Sequence, residues 1–182
     1  MMGFLEDRLA QLTTHRQQHV WRVAQLMEEL AQIHHLPAED ARLSALGHDL
    51  AREMSRDALR LEARRLGLPI NAPEEEEPIL LHGPVAAAWL QQENLGGPDV
   101  WEAIYYHTTA APDLSPLAKA LFIADGVEPG RKFDARARIE QVAKEQSLDD
   151  AYVLLLKETM QYLQSRRLKP HPLMLKTLES LR

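Results

Sequence analysis

Residues 15–35 read HRQQHVWRVAQLMEELAQIHH, and this stretch indicates the fold class of the protein. Thr13 and Thr14 stand at its start, where a hydroxyl side chain can cap the first turn of a helix. Apolar residues recur within it at the three- and four-residue spacing of one helix face. They are Val20, Val23, Ala24, Met27, Leu30 and Ala31. The stretch therefore predicts a long amphipathic helix.

Helical signals continue along the rest of the chain. Pro37 opens the next predicted helix, whose first turn is acidic, and Ser55 is placed to cap another. The helix capped by Ser55 is predicted over residues 56–66. Further helices are predicted over residues 78–94, 98–108, 116–127 and 148–166, and two more begin at about residue 135 and at residue 172. No window alternates apolar and polar residues with β-branched enrichment, so we expect no strand. The pattern predicts an all-α bundle of about eight or nine helices.

One internal segment lacks helical periodicity. Residues 68–78 hold three prolines, an asparagine and four consecutive glutamates, and this composition predicts a loop. Adjacent carboxylates repel one another, so we expect the glutamates at 74–77 to form a solvated run. The three tryptophans lie at helical spacing among apolar neighbours and are expected to pack in the core. They are Trp21, Trp89 and Trp101.

The composition is ordinary for a globular protein, with 182 residues, 45% of them hydrophobic and 26% charged. We expect one domain over residues 1–182, with a core at about 13–128 and a helical extension at about 135–182. The net charge of -6 argues against a nucleic-acid binder, and the lack of cysteine excludes disulfides and thiolate metal sites. No segment resembles a signal peptide or a membrane span, so we expect a cytoplasmic protein with no membrane partner.

Histidine and aspartate residues on separate predicted helices suggest a metal site. The pair His48-Asp49 lies in the apolar stretch SALGHDLAR, where a charged carboxylate needs a partner. Imidazole and carboxylate suit a divalent transition metal, and helical bundles collect such ligands from several helices. A single histidine in an amphipathic helix usually has a packing role, but here the candidates recur in a definite order. The others are His19, His82, His107 and Asp125.

This order of a His, a His-Asp pair, two further His and a distal Asp resembles the HD superfamily of metal-dependent phosphohydrolases. The sequence is more closely similar to the YqeK family within that superfamily. The resemblance is carried by segments spread over nearly the whole chain, in the family's order. They read HRQQHV (15–20), LGHDLAR (46–52), LLHGPVAA (80–87), AIYYHTT (103–109), LAKALFIADGVEPGRKF (117–133) and YLQSRRLKPHP (162–172).

The resemblance implies a site for two divalent metal ions, iron in the family, and symmetrical hydrolysis of dinucleoside tetraphosphates. Diadenosine tetraphosphate would give two ADP by attack of a metal-bound hydroxide on a phosphate. Matched position by position, the first-metal ligands are His19, His48, Asp49 and Asp125. The second-metal ligands are His82 and His107, with Asp49 bridging the two ions. The donor types do not choose among iron, manganese and cobalt.

The motifs also contain residues suited to bind phosphate. They are Arg52, Thr108, Thr109, Arg131 and Lys132. Arg52 stands where the family usually has Lys, and it keeps the charge while adding a bidentate fork. With His48 and Asp49 it forms the expected catalytic set. Ala110 stands where the family often has Gly, a change expected to stiffen that loop.

Two alternatives remain open at the level of the sequence. The chain could be an HD phosphohydrolase that acts on another nucleotide, a mono- or triphosphate. It could also be a non-catalytic regulator that binds a nucleotide, although retention of all six ligand positions argues against such a degenerate domain. A homodimer is compatible with the sequence, but no coiled-coil seam establishes one.

Overall fold

The computed structural model describes residues 2–181, and within this range it contains helices and no strand, as predicted. Eleven α-helices and one short 3-10 helix, Pro78–Leu81, follow one another along the described part of the chain. The α-helices are α1 (Met2–Ala10), α2 (Thr14–His34), α3 (Ala38–Gly47), α4 (Arg56–Arg65), α5 (Ala72–Glu76), α6 (His82–Gln92), α7 (Pro98–Tyr106), α8 (Pro116–Val127), α9 (Arg136–Glu145), α10 (Leu148–Ser165) and α11 (Pro172–Ser180).

Several of these helices begin where the sequence places a capping residue. In each of four cases the hydroxyl of a Ser or Thr accepts a hydrogen bond from a backbone N–H in the first turn, which satisfies a donor that the helix itself leaves free. The four caps are Thr13 for α2, Ser55 for α4, Ser115 for α8 and Ser147 for α10. The predicted starts of these helices are confirmed.

The predicted number of eight or nine helices is too low. The sequence pattern missed α1 and also α5, which lies inside the predicted loop at residues 68–78. Asn71 and Glu74 form a capping box at the start of α5, in which each side chain bonds the backbone of the other residue. Such a helix arises from local hydrogen bonding, so a search for apolar periodicity does not detect it.

The helix predicted over residues 78–94 is divided into the 3-10 helix and α6. Pro84 lacks the N–H that an α-helix would direct back to the carbonyl of Leu80, so the chain begins this region with a tighter turn. The division sets His82 at the first position of α6.

The centre of the fold is a layer of four packed helices, α2, α3, α7 and α8. Helix α6 packs on the outer side of α7, and α10 covers α8. The largest fully buried side chains in these helices include Met27, Leu30, Ile104 and Leu121, which belong to one continuous core. None of the described helices is long and apolar enough to cross a bilayer. The functional candidates all lie on or beside the central layer.

Two expectations about side-chain burial are wrong. Trp21 is 47% exposed on α2, whereas Trp89 is buried and Trp101 is partly buried. Helical spacing shows which residues share a face of one helix, but not how far the neighbouring helices cover that face. Trp21 lies on a face of α2 that stays about half exposed, with Arg42 of α3 beside the ring.

The glutamates at 74–77 are not a uniformly solvated run, because Glu74 is buried. Each of the four carboxylates lies within ion-pair distance of a basic side chain. The pairs are Glu74 with His171, Glu75 with Arg60 and Arg64, Glu76 with Lys169, and Glu77 with Arg56. The acidic segment therefore joins α4 to the chain that leads into α11.

Candidate metal centre

The six predicted ligands come together from five parts of the fold. One lies in the second turn of α2, one in the first turn of α6 and one in the last turn of α8. Two lie at the C-terminal end of α3 and directly after it, and one directly follows α7. These ligands are His19 in α2, His48 and Asp49 after α3, His82 in α6, His107 after α7 and Asp125 in α8. Two groups of three among them could hold a metal ion, His19 with His48 and Asp125, and His48 with Asp49 and His107.

Asp49 lies between two pairs of histidines. Its Oδ2 atom is 3.5 Å from His19 Nε2 and 3.6 Å from His48 Nε2. Its Oδ1 atom is 3.3 Å from His82 Nε2 and 3.8 Å from His107 Nε2. The two oxygens of one carboxylate therefore face different pairs of imidazoles, as a ligand shared by two adjacent metal ions would.

Asp125 completes the first group. Its Oδ1 atom is 3.1 Å from His19 Nε2, which in turn is 3.3 Å from His48 Nε2. On the other side of Asp49 the Nε2 atoms of His82 and His107 are 2.9 Å apart. His19 and His48 therefore lie near Oδ2 of Asp49, and His82 and His107 lie near its Oδ1.

The remaining ring nitrogens show which tautomer these histidines adopt. In three of them Nδ1 lies within hydrogen-bond distance of a backbone carbonyl three residues earlier, and a carbonyl can only accept, so Nδ1 carries the hydrogen. The contacts are His48 to Ala45 at 2.7 Å, His82 to Ile79 at 2.5 Å and His107 to Ile104 at 2.7 Å.

A neutral imidazole that carries its hydrogen on Nδ1 presents a lone pair on Nε2. The Nε2 atoms converge on one another and on carboxylate oxygens, so the centre is a dense cluster of electron-pair donors. Such a cluster is stable only when positive charge lies among its members. The nitrogen and oxygen donors fit divalent transition metals, and the engaged Nδ1 atoms provide the orienting contacts typical of metal-binding histidines.

His19 has a different partner, which sequence reasoning missed. Its Nδ1 atom is 3.1 Å from Oε1 of Glu128, a residue only 2% exposed that also binds the guanidinium of Arg22. Burial by itself would raise the pKa of Glu128, but hydrogen bonds from Arg22, the N–H of Gly130 and His19 lower it to about 2. Glu128 lies in the quoted segment ADGVEPGR, yet nothing in its sequence position indicates that it reaches α2.

The protonation states suit metal binding. Burial raises the pKa values of Asp49 and Asp125, but neighbouring imidazoles outweigh this effect and hold both pKa values below the ordinary range. Burial lowers the pKa of His48 to about 4. Ionised carboxylates and a neutral imidazole at neutral pH are the forms that coordinate a metal without first losing a proton.

Arg16 is a second residue that sequence reasoning missed. Its Nη1 atom is 2.6 Å from Asp49 Oδ2, just as Nη2 of Arg131 is 2.6 Å from Asp125 Oδ1. Both guanidinium groups line a cavity of about 280 Å³ that opens on the centre. The available signal was spacing, because Arg16 precedes His19 by three residues and shares its helix face.

The residues predicted to bind phosphate do not all reach this cavity. Arg52, Thr108 and Arg131 line it, and Thr108 Oγ1 is 3.2 Å from His107 Nε2. Thr109 is buried and donates to the carbonyl of Ala110, and it lines a different cavity. The side chains of consecutive residues in this turn point in different directions, so only one of the two threonines faces the centre.

Lys132 lies on the wall of a neighbouring cavity, although Arg131 lines both. Ala110 adopts φ 57°, a left-handed conformation that glycine accepts more readily than alanine. This backbone requirement accounts for the glycine that the resemblance leads one to expect there.

Comparisons with known proteins show which family the chain resembles. The family model described as HD domain matches residues 16–130. The chain is 31% identical to the symmetrical bis(5'-nucleosyl)-tetraphosphatase of Bacillus subtilis, over 86% of this chain and 83% of that protein. It is also 31% identical to the protein of the same name from Halalkalibacterium halodurans, over 93% of this chain and 90% of that protein. A crystal structure from Clostridium acetobutylicum, titled as a predicted HD superfamily hydrolase involved in NAD metabolism, superposes with a TM-score of 0.92 at 26% identity, covering 100% of this chain and 98% of that one.

Proposed function

The chain belongs to the HD domain family, and we propose that it hydrolyses diadenosine tetraphosphate symmetrically to two molecules of ADP. The observation that carries this proposal is the convergence of five candidate ligands around a sixth, Asp49, all of them within the matched residues 16–130. Relatives named for this reaction match most of this chain and of their own length. The similarity favours this reaction over the other nucleotide substrates and over a non-catalytic role.

We propose that the centre would hold two divalent ions and that Asp49 would contribute to the binding of both. The first would be held with His19, His48 and Asp125, and the second with His82 and His107. Bound there, the ions would activate water and neutralise phosphate charge. Iron is the metal that the resemblance implies, and manganese and cobalt suit the same donors.

The basic side chains of the cavity are suited to bind the polyphosphate. A guanidinium has five N–H donors, so Arg16 and Arg131 can each keep a carboxylate contact and still donate to a phosphate oxygen. Arg52 and Thr108 add a further cation and a hydroxyl on the same wall. The protein as a whole is acidic, with a formal charge of -6, so this local positive group is what attracts a highly charged anion.

Symmetrical cleavage requires a particular position of the phosphate chain. Water oxygen forms a bond to one inner phosphorus, and the bond from that phosphorus to the central bridging oxygen breaks, so that oxygen leaves with the second ADP. The arginines at the cavity would bind the negative charge that develops on the leaving phosphate. Their placement around Asp49 is therefore expected to set which phosphorus is attacked.

The test is product analysis by ion-exchange chromatography after metal-loaded protein is incubated with diadenosine tetraphosphate. We expect ADP as the sole product and complete loss of turnover with a chelator. Asp49→Asn should abolish turnover, whereas Asp57→Asn, at an exposed carboxylate in the first turn of α4, should leave it unchanged.

Three other results would contradict the proposal. ATP with AMP as products would mean that the phosphate chain is shifted by one phosphate, so that an outer phosphorus is attacked instead of an inner one. Turnover of a mono- or triphosphate in preference to diadenosine tetraphosphate would indicate another substrate class. Stoichiometric nucleotide binding without any turnover by protein loaded with iron, manganese or cobalt would indicate a regulator.

A further inference from the structure

A second cavity, of about 650 Å³, adjoins the metal centre. It lies between the segment that follows α8 and one face of α10. Four residues line both this cavity and the one that opens on the metal centre, so the two cavities are adjacent. The shared residues are Gly126, Arg131, Leu155 and Thr159. The second cavity is therefore the space directly beside a phosphate chain that lies at the metal centre.

The second cavity has two aromatic rings on its walls. Phe133 is 37% exposed and Tyr162 is 56% exposed, so part of each ring is accessible to a ligand. Within the described residues 2–181 neither ring stacks on another aromatic ring. Exposed rings that face a cavity are typical of binding sites for flat, apolar groups.

The order of residues along α10 matches the order of groups in a nucleotide. Leu155, Thr159 and Tyr162 lie on one face of this helix and run from the shared wall into the second cavity. The rise of a helix puts seven residues over about 10 Å, comparable to the reach from a phosphate chain through a ribose to its base. Arg131 lies at the shared wall, where the phosphates would pass.

Polar side chains of α10 lie beside this face. Glu158 and Gln161 also line the second cavity, and both can accept hydrogen bonds from ribose hydroxyls. The walls thus combine a cation near the phosphates, acceptors along the path and aromatic rings beyond them. This combination is the chemistry of a nucleoside, with its polar sugar and its flat base.

We propose that the second cavity binds one nucleoside of the substrate, with its base stacked on Phe133 or Tyr162. This inference rests on the proposed function, since it takes the metal centre as the place where the phosphate chain is cut. Stacking accepts any base with a π face. The subsite is therefore expected to favour nucleotides over plain polyphosphates, with little discrimination between adenine and guanine.

The inference is tested by equilibrium binding of ADP and of pyrophosphate to manganese-loaded protein, measured by isothermal titration calorimetry. At least one of the variants Tyr162→Ala and Phe133→Ala should weaken ADP binding by about tenfold, the size expected for loss of a base–aromatic stack. Pyrophosphate has no base, so its affinity should not change. Tyr162→Phe keeps the ring and should bind ADP like the unaltered protein.

Trp21→Ala is the matched control, because it removes an exposed aromatic ring from a face of α2 that lines neither cavity. It should leave both affinities unchanged. Unchanged ADP affinity in both alanine variants would overturn the subsite, and so would an equal loss of ADP and pyrophosphate binding. Failure of the unaltered protein to prefer ADP over pyrophosphate would overturn it as well.

These outcomes are separable from those of the proposed function. If the unaltered protein does not cleave diadenosine tetraphosphate but loses ADP affinity in the alanine variants, the reaction is wrong and the subsite stands. If it cleaves diadenosine tetraphosphate while both alanine variants keep full ADP affinity, the reaction stands and the base lies elsewhere.

Discussion

The histidines of the centre bind two different kinds of partner through Nδ1. His48, His82 and His107 each have a backbone carbonyl, whereas His19 has the carboxylate of Glu128. A carboxylate makes an imidazole a stronger donor to a metal than a carbonyl does, because it stabilises positive charge on the ring. The ion beside His19 should therefore depend on Glu128 and the other ion should not.

Glu128→Gln is expected to weaken binding of one of two manganese ions by about 10- to 100-fold, the usual effect of losing such an orienting partner. The affinity of the second ion should stay unchanged. Titration calorimetry of the metal-free protein measures both. Glu140→Gln, a carboxylate that pairs with Arg136 and Lys144 on α9, serves as the control. Equal affinities in the unaltered and Glu128→Gln proteins would contradict this role.

Gly83 shows how tightly the second pair of histidines is packed. A Cβ atom at this position would lie 2.7 Å from the carbonyl oxygen of Ile104 and 3.1 Å from Nδ1 of His107. The carbonyl oxygen of Ile104 also accepts the hydrogen bond from Nδ1 of His107. A backbone oxygen cannot move aside as the end of a flexible side chain can. The glycine therefore permits α6 to approach α7 closely enough to bring His82 and His107 together.

Gly83→Ala should lower the free energy of unfolding by about 1–3 kcal/mol, the common range for overpacking. It should also weaken metal binding, because His82 and His107 would move apart. Urea denaturation and metal titration measure the two effects. Gly3→Ala, in the open α1 helix, has no atom within 4 Å of the added Cβ and should not reduce stability. A fully stable Gly83→Ala protein would contradict the packing argument.

At the scale of the helices, Glu62 joins α4 to α6. Its Oε1 atom accepts a hydrogen bond from Nε1 of Trp89 at 2.6 Å, and its carboxylate also pairs with Arg65. The hydrogen bond from Arg65 is the largest effect on the pKa of Glu62, and together with that from Trp89 it outweighs burial and lowers the pKa to about 2. The ionised form is therefore favoured by folding.

A carboxyl whose pKa is lower in the folded than in the unfolded chain stabilises the fold above its unfolded pKa of about 4.5. That contribution is lost as pH falls from about 4.5 towards 2. Because the pair is partly solvated, we expect about 1 kcal/mol. The difference in unfolding free energy between the unaltered protein and Glu62→Gln should shrink over this pH range. A difference that does not vary with pH, or an equal effect of Glu93→Gln at the exposed end of α6, would contradict the prediction.

At the scale of the whole molecule, the centre connects the four central helices and α6. The proposed ligands lie on or directly after α2, α3, α6, α7 and α8, so a bound ion would contact elements that are distant along the chain. A ligand that binds only the folded state raises its stability by an amount set by concentration and affinity. Metal binding should therefore stabilise the entire fold, not only the cavity.

Manganese at about 100 times its dissociation constant should raise the free energy of unfolding by about 2.7 kcal/mol per site, seen as a higher Tm. A chelator should reverse the rise. Asp49→Asn should lose most of it, because both sites share that carboxylate, and Asp57→Asn should keep it. A Tm that does not respond to metal in the unaltered protein would contradict the assignment of these residues as ligands.

The helical class and the capped helix starts were predictable from the sequence, and the sequence also proposed six ligands that the fold brings close together. Thr13, Ser55, Ser115 and Ser147 cap their helices through contacts a few residues long, so their roles depend on local order. The ligand set was recognisable because a resemblance to a family preserves residue type and order along the chain. Neither signal requires knowledge of how the helices pack.

Contacts between distant segments were decided only by the tertiary structure. Glu128 meets His19 across 109 positions of sequence, and Arg16 meets Asp49 across 33. The same packing leaves Trp21 exposed, buries Glu74 against His171 and turns Thr109 away from the centre. Helical spacing defines which residues share a face, but which face is covered depends on the helices that pack there. That choice is a property of the folded chain as a whole.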